Sequence, residues 1–400
     1  MRLCVLIPAF NEAKVIRRSI LSAYGAGLDA QDVYVVDDGS KDNTAEVARY
    51  YKAQVLSKPN GGKAAALRSG IDHFDLTSRY THVMVLDADS IVDPDYAKAM
   101  ERATVRHPNA VLFCGRQCSQ RGPWNWLTAY RSVDYAVWCG VYREAQHATG
   151  TVNVAPGFAS MYRMDTFASL DFDGGTVVED MDMTMQLQRR REEIVYVPDA
   201  LVATQDPLKL KDFIGQMMRW YRGTWQVVKK HRLGGMCEPV DLKIGALVLG
   251  QLLIGLLIAT LPLWYGSDPQ VVRYSLWAGG AILMGATCRT ARKRGLMSQR
   301  VDAEFTWLVG EQMLVGALIA TLPLWLYYYP QRVLLALVID QALVLTYTIL
   351  TAIRERRIEL IVLYPTFVIP RLLGYFLFAW AYLLERRTVE TKWYSVERYS

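Results

Sequence analysis

Beyond about Pro239 the 400-residue chain changes character, from a dense and evenly mixed pattern of charges to long apolar stretches separated by short basic loops. Four stretches, roughly 243–265, 271–288, 304–329 and 332–352, are each about 20 residues long, enough to cross a bilayer as a helix. A fifth, 358–384, is interrupted by Pro365, Pro370 and Arg371. The expectation is a soluble first half followed by an α-helical transmembrane bundle over 240–400.

The apolar half carries an internal repeat. QLLIGLLIATLPLW at 251–264 recurs as QMLVGALIATLPLW at 312–325, an offset of 312 − 251 = 61 residues. The same offset pairs Val240-Asp241 with Val301-Asp302 and Thr290-Ala291 with Thr351-Ala352. A two-helix hairpin, 240–300, is read as duplicated head to tail over 301–357, both copies entering with one orientation. Both units end in basic loops, Arg289–Arg294 and Arg354–Arg357, which places those loops and the half preceding the first span in the cytosol. An integral protein of the plasma or inner membrane is expected. If 358–384 crosses once the tail lies outside, and if its prolines make it re-entrant the tail stays inside.

The net charge of +6 calls for no nucleic-acid partner, since the basic residues flank apolar segments and serve as membrane-surface and orientation signals. The six cysteines, Cys4, Cys114, Cys118, Cys139, Cys237 and Cys288, form no CxxC pair. With the histidines equally dispersed, the pattern argues against a disulfide framework or structural zinc. The run Leu3 to Phe10 is short, holds Pro8 and stops at Asn11-Glu12, so it reads as a buried strand and not a signal peptide.

Up to about residue 115, short β-branched runs (Leu3–Ile7, Val33–Val36, Val83–Leu86) alternate with helical spacing at 12–24, 43–52 and 62–74. That alternation predicts a parallel sheet covered on both faces, with ligands at the carboxyl ends of the strands. Between 122 and 147, aromatic residues interleave with Arg and Asp, as in a helix at a membrane interface or lining a cleft, or in an aromatic core helix.

The acids fall at those strand ends. PAFNE at Pro8–Glu12 follows the first strand, putting Pro8, Asn11 and Glu12 at the donor end, and Asp37-Asp38-Gly39-Ser40 follows the next. Carboxylates there can accept from a nucleobase or ribose, although Asp-Asp-Gly-Ser is also a common turn. Gly61-Gly62-Lys63 opens a helix where the backbone can approach a phosphate and Lys63 can neutralise it. Asp87-Ala88-Asp89 ends a strand with both carboxylates on one side, hard ligands suited to Mg²⁺ or Mn²⁺. Glu179-Asp180 opens a helix, where acids taken alone read as caps. Gln216, Arg219, Trp220 and Gly223 share one helix face, offering a cation to a pyrophosphate and an aromatic plate to a sugar on an amphipathic interface helix.

In that order, Asp-Asp-Gly, Gly-Gly-Lys, Asp-x-Asp, Glu-Asp and Gln-x-x-Arg-Trp over about residues 1–235 resemble the inverting family-2 glycosyltransferases. More narrowly they resemble the membrane-bound processive branch, the cellulose, chitin, hyaluronan and poly-N-acetylglucosamine synthases. Lys392-Trp393 and Glu397-Arg398 are similar to the ending of such synthases. The resemblance implies an α/β GT-A-type, Rossmann-like domain over 1–206, an interface region over 207–239 and a membrane region over 240–400. It implies Asp38 on uridine, Asp87 supporting the nucleotide, Asp89 on the metal (Mg²⁺ or Mn²⁺) and Asp180 as general base, which displaces the capping reading. It further implies Gln216 and Arg219 on the pyrophosphate, Trp220 stacked on the acceptor, and Gly157 and Glu179 near the acceptor.

The expected partners are a UDP-sugar donor, a glycan or lipid-linked acceptor and the lipid bilayer. Unlike many such synthases, the sequence given has no helices before its first strand, and its small bundle leaves room for a homo-oligomer or a partner membrane subunit. A single-sugar transferase to a lipid is the alternative within the class. A nucleotide-binding transporter is the remote one, kept open by Glu311 and Asp340, which align with Gly250 and Gly279 of the first repeat.

Overall fold

The computed structural model describes residues 1–231 apart from 124, 151, 173 and 174, then 327, 330–386 and 398–399. The first apolar run forms β1 (Leu3–Ala9). Its side chains alternate between two cores, Val5 and Ile7 on one face and Cys4 and Leu6 on the other. β2 (Val33–Asp37) repeats the division, Val33 and Val35 against Tyr34 and Val36. Strands buried on both faces have no polar positions to spare until they end, which is why the acids come at their carboxyl termini.

In chain order, α1 (Ile16–Gly25) precedes β2. After β2 come α2 (Thr44–Tyr50), β3 (Gln54–Ser57), α3 (Lys63–His73), α4 (Leu76–Arg79), β4 (His82–Val85), β5 (Ile91–Val92) and α5 (Tyr96–Arg106). Then follow β6 (Leu112–Ser119), α6 (Trp126–Tyr135), a π-helical stretch (Ala136–Tyr142), α7 (Arg143–Thr149), β7 (Ser160–Arg163), α8 (Met164–Ala168), α9 (Glu179–Arg189), β8 (Ile194–Thr204) and α10 (Leu210–Lys230). The apolar half contributes α11 (Pro330–Glu355), α12 (Glu359–Leu363) and α13 (Val368–Arg386).

The sheet has eight strands in the order β3-β2-β1-β4-β7-β6-β8-β5. The expected parallel arrangement holds across β3-β2-β1-β4 and again between β6 and β8. It fails at β7, which is antiparallel to both β4 and β6, and at β5, antiparallel to β8, so the sheet is mixed. The reason is the connection: the helical excursion between β6 and β7 starts and finishes at one end of the sheet, and β7 runs back beside β6. The aromatic stretch is helical from Trp126 onward, and α6 faces inward with Leu127, Ala129, Val133 and Tyr135 buried, while Trp138 in the following turns is exposed.

Helix α3 lies unusually close to the sheet at one point. A Cβ added to Gly70 would stand 2.8 Å from both Leu6 Cδ1 and Val36 Cγ2, closer than side-chain carbons tolerate. This contact sets the height of α3 over β1 and β2, and therefore the position of Lys63 at its first turn.

The described apolar helices pack on the first half. Leu373 and Leu377 of α13 meet Phe213 and Met217 of α10, and further along Phe378 and Tyr382 meet the Trp225 ring, with centroids 5.0 and 4.8 Å away. At the far end Arg222 Nε donates to Glu385 Oε1 at 2.5 Å. Residue numbers rise together along this seam, so the two helices run parallel. Glu359–Glu385 is long and apolar enough to cross a membrane, the one such segment among the described residues. Pro365 lies in a 3₁₀ turn, Tyr364–Phe367, that separates α12 from α13. Pro370 sits in the first turn of α13, where its missing N–H costs nothing. The spans expected at 243–265 and 271–288, all of 304–329 except Tyr327, the first repeat unit and Glu311 lie outside the described residues, while the span expected at 332–352 falls within α11.

Gly70→Ala is expected to lift α3 from the sheet and destabilise the fold by about 1–3 kcal/mol, the usual cost of overpacking. Thermal unfolding monitored by circular dichroism checks this, with Ser69→Ala, one position along the same helix, as the control.

Candidate active site

The sequence-predicted acids converge at the carboxyl ends of β1, β2 and β4. Asn11, leaving β1 with φ 56, adopts the left-handed conformation that asparagine tolerates. Its backbone N–H donates to Ser40 Oγ at 2.9 Å and its side-chain oxygen accepts from Lys41 N at 2.8 Å, tying the first loop to the second. Pro8 is in register with Val36 in the parallel ladder just before this junction. Asp38 is buried, and its carboxylate accepts from Gly61 N (2.9 Å), Gly62 N (2.7 Å) and Lys58 Nζ (2.6 Å). Its carboxylate therefore organises the glycine turn that precedes Lys63, a role the sequence reading missed along with Lys58. Gly39 (φ +79) is required there, because a Cβ would come within 2.8 Å of Asn60 N.

Lys63 is the hub. Its Nζ lies 2.7 Å from Asp87 Oδ1 at the end of β4 and 2.7 Å from Glu179 Oε1 at the start of α9. Burial works against its charge, but Asp87, Glu179 and Asp180 outweigh that and raise its pKa, so Lys63 is firmly protonated. The neighbouring Asp180 has Oδ2 accepting from Gly157 N at 3.0 Å and Oδ1 accepting from Met181 N at 2.8 Å. Burial, with Glu179 beside it, pushes the Asp180 carboxyl up to about 6 against the opposing pull of Lys63. A Cβ on Gly157 would stand 3.0 Å from Lys63 Nζ and 3.1 Å from Asp180 Cβ, so glycine permits the backbone to enter between them.

The remaining acids meet a cation from the other end of the chain. Arg398 Nη1 lies 2.6 Å from Asp89 Oδ2, while its Nε and Nη2 donate to Glu12 Oε1 at 3.1 and 3.0 Å. Burial raises Asp89, with Asp87 adding to the effect and Arg398 opposing it. Burial also lifts Glu12 to about 7, Arg398 again opposing. Among the described residues no preassembled group of three or more potential metal ligands occurs. Asp87 and Asp89 nevertheless supply hard oxygen donors whose charge is already balanced by cations, and one or two carboxylates completed by phosphate oxygens suit Mg²⁺.

Helix α10 brings the Gln-x-x-Arg-Trp residues alongside. Gly223 packs directly on the residue preceding Glu179, since a Cβ there would lie 2.5 Å from Val178 Cγ1. Gln226 Oε1 accepts from Val177 N at 3.0 Å, and Asp182 clamps the helix end through Lys230 Nζ (2.9 Å) and His231 Nε2 (2.5 Å). Gln216 is buried with its Oε1 unpartnered among the described residues. The Trp220 ring has the Arg131 guanidinium 4.8 Å from its centroid. Arg131 is itself buried, paired with Asp134 and donating to Tyr135 Oη at 2.6 Å. Arg219 lies on the same helix one residue before Trp220.

Residues 4–170 match the family described as Glycosyl transferase family 2. The match with that family is confined to this segment, somewhat less than half of the chain. The chain is 30% identical over 280 residues to an N-acetylglucosaminyltransferase of Rhizobium meliloti, covering 64% of this chain and 64% of that protein. It is 26% identical over 229 residues to a poly-beta-1,6-N-acetyl-D-glucosamine synthase of Staphylococcus epidermidis, covering 56% of this chain and 54% of that one. The chain thus spans between half and two thirds of the length of these relatives. Among solved structures, a mannosyltransferase from Pyrobaculum calidifontis in complex with GDP-Man and Mn2+ aligns with TM-score 0.46 and 18% identity, covering 80% of this chain and 87% of that one.

A base with its pKa at about 6 should impose an ascending limb on kcat/KM, with activity lost as pH falls through about 6. Asp180→Asn should abolish that limb, leave nucleotide affinity within a few-fold and lower turnover by about 10²–10⁴-fold. Binding and turnover falling together would return Asp180 to the helix-capping role.

Proposed function

We propose that the protein transfers a sugar from a UDP-sugar to a growing polysaccharide or lipid-linked glycan at the membrane, with inversion at the anomeric carbon. The single observation that carries this reading is the Asp180–Gly157–Lys63 junction, where a carboxyl of near-neutral pKa lies beside a charged lysine that bridges to the Asp-x-Asp strand end. The names of the relatives make N-acetylglucosamine the first sugar to test.

In this mechanism Asp180 accepts the proton of the acceptor hydroxyl, whose oxygen forms a bond to the anomeric carbon from the face opposite the diphosphate. The bond from that carbon to the diphosphate oxygen breaks, and its electron pair leaves with UDP. Lys63 and Arg219 supply positive charge to the departing group. Gln216 offers its unpartnered acceptor to a ligand hydroxyl, and Trp220, backed by Arg131, offers a flat face to the acceptor sugar. A divalent cation held by Asp89, with Asp87 beside it, would add charge neutralisation of the diphosphate. Asp38 acts through the loop it holds, bringing that loop's edge to the nucleoside.

A membrane location is supported by the outer face of α12 and α13. Val362, Ile369, Leu372, Phe376, Trp380 and Leu383 are exposed and recur at helical spacing, away from the side that packs on α10. We place the catalytic half in the cytosol, where sugar nucleotides are found, and the duplicated hairpins in the bilayer. Repeated extension follows from the acceptor plate lying on the helix that also bears the donor residues, so that a stacked product can stay in place for the next donor.

Screening nucleotide sugars with membranes that contain the protein, and weighing products by mass spectrometry, tests this directly. UDP-N-acetylglucosamine should give a ladder of oligomers, silenced by chelation and restored by Mn²⁺ or Mg²⁺. Trp220→Ala should shorten the ladder while sparing donor affinity. A singly glycosylated lipid under excess donor would replace extension by single transfer, and full activity in excess chelator would remove the metal.

A further inference from the structure

The segment around Arg398 is separated by 386 residues from Glu12, yet it is seated in the donor site by more than one kind of contact. Arg398 uses its fork on two acids at once, with Nε and Nη2 on Glu12 and Nη1 on Asp89 at 2.6 Å. Next to it, the Tyr399 backbone is held by Gln205, whose Nε2 donates to the Tyr399 carbonyl at 2.7 Å. The Tyr399 ring lies over Gly122, where a Cβ would come within 3.2 Å of it. Gln205 follows β8 directly and Gly122 follows β6, so this seat is built on the sheet itself. The neighbouring floor is fixed too, since Gln120 Nε2 donates to the Asp89 carbonyl at 2.5 Å.

From these contacts we infer that Arg398 is a built-in competitor of the divalent cation, filling Asp89 in the resting protein and yielding it when metal and donor arrive. The inference rests on the donor-site reading given above. Its physical basis is charge. Asp87, Asp89 and Glu12 are three acids in a largely buried region, and such a group holds together only with cations among them. In the described structure Lys63 covers Asp87 and Arg398 covers the other two. A divalent cation on Asp89 would take the oxygen that Arg398 uses and would repel the guanidinium at contact distance. The two cations therefore exclude one another at Asp89. A planar guanidinium suits the resting role because its fork sets two N–H groups on Glu12 and a third on Asp89 in one geometry.

Competition of this kind is reciprocal. Removing Arg398 must strengthen metal binding, and metal binding must release Arg398. If the engaged state holds about nine tenths of the population, the apparent metal affinity is lowered about tenfold relative to a chain without the competitor. Because Asp89 is free only in the minority state, metal and nucleotide together shift the balance further than metal alone.

The test is Mn²⁺ binding to the purified full chain without nucleotide, followed by electron paramagnetic resonance of free Mn²⁺, for wild type, Arg398→Gln and Arg398→Lys. Arg398→Gln should bind Mn²⁺ about tenfold more tightly, with Arg398→Lys between the two. Melting temperatures establish that each variant is folded. In parallel, trypsin cleavage after Arg398 in the wild type, read by mass spectrometry, should accelerate when Mn²⁺ and UDP are added together. Mn²⁺ affinity that is unchanged or weaker in folded Arg398→Gln, or cleavage indifferent to Mn²⁺ and UDP, would overturn the competitor role while leaving the donor site intact. If neither wild type nor Arg398→Gln binds Mn²⁺, the metal reading of Asp89 itself fails, and the competitor with it.

Discussion

The arrangement depends on one partly buried cation. Lys63 joins Asp87, at the end of the fourth strand, to Glu179, at the start of the helix that carries Asp180, with 2.7 Å on each side. Without it, three carboxylates would face one another in a region of low solvent access, where unpaired charge is costly by several kcal/mol. Everything that sets the position of Lys63 is therefore part of the site: Gly70 fixes the height of its helix, Asp38 holds the glycine turn before it, and Gly157 admits the backbone beside it. The same cation acts on Asp180. It opposes the upward push of burial and Glu179 on Asp180, leaving that carboxyl at about 6 and mostly ionised near neutral pH.

A second consequence concerns how the two halves meet. The helix with Gln216, Arg219 and Trp220 is pinned to the acid cluster at Val178 and at Asp182, and on its other side it carries α13 along much of its length. The acid cluster and the apolar helix thus share a single intermediate element. Charge fixes it at Arg222 on Glu385 and, at its carboxyl end, at Lys230 on Asp182, with aromatic packing of Trp225 on Phe378 and Tyr382 between them. Arg398 on Glu12 and Asp89 puts Arg398 and Tyr399 beside the acid cluster as well.

The first strands and helices were legible because buried strands and amphipathic helices leave distinct periods in the sequence, and the acids mark where burial stops. The antiparallel insertion of β7 was not legible, since a short buried strand carries no sign of its direction. Asp180 shows why local reading is ambiguous: it does accept from Met181 N at a helix start, as a capping acid would, and its other oxygen accepts from Gly157, 23 residues earlier. Only the second contact sets it beside Gly157 and Lys63, where the proposed role as base is possible. Asp38 was found by position but not by partner, because its bonds to Gly61 and Gly62 depend on how the loop folds back. Glu397-Arg398 stood out in the sequence only as an ending motif; the contacts of Arg398 with Asp89 and of Arg131 with Trp220 were not legible, because the partners are remote in the chain.

The most direct test of this account is the affinity for UDP, measured by calorimetry with Mn²⁺ present, in wild type and in Lys63→Met. Loss of one charge-assisted contact to the diphosphate, worth about 1.5–3 kcal/mol, predicts a drop of roughly ten- to a hundredfold. A folded Lys63→Met that binds UDP within twofold of the wild type would contradict the central place given to this lysine.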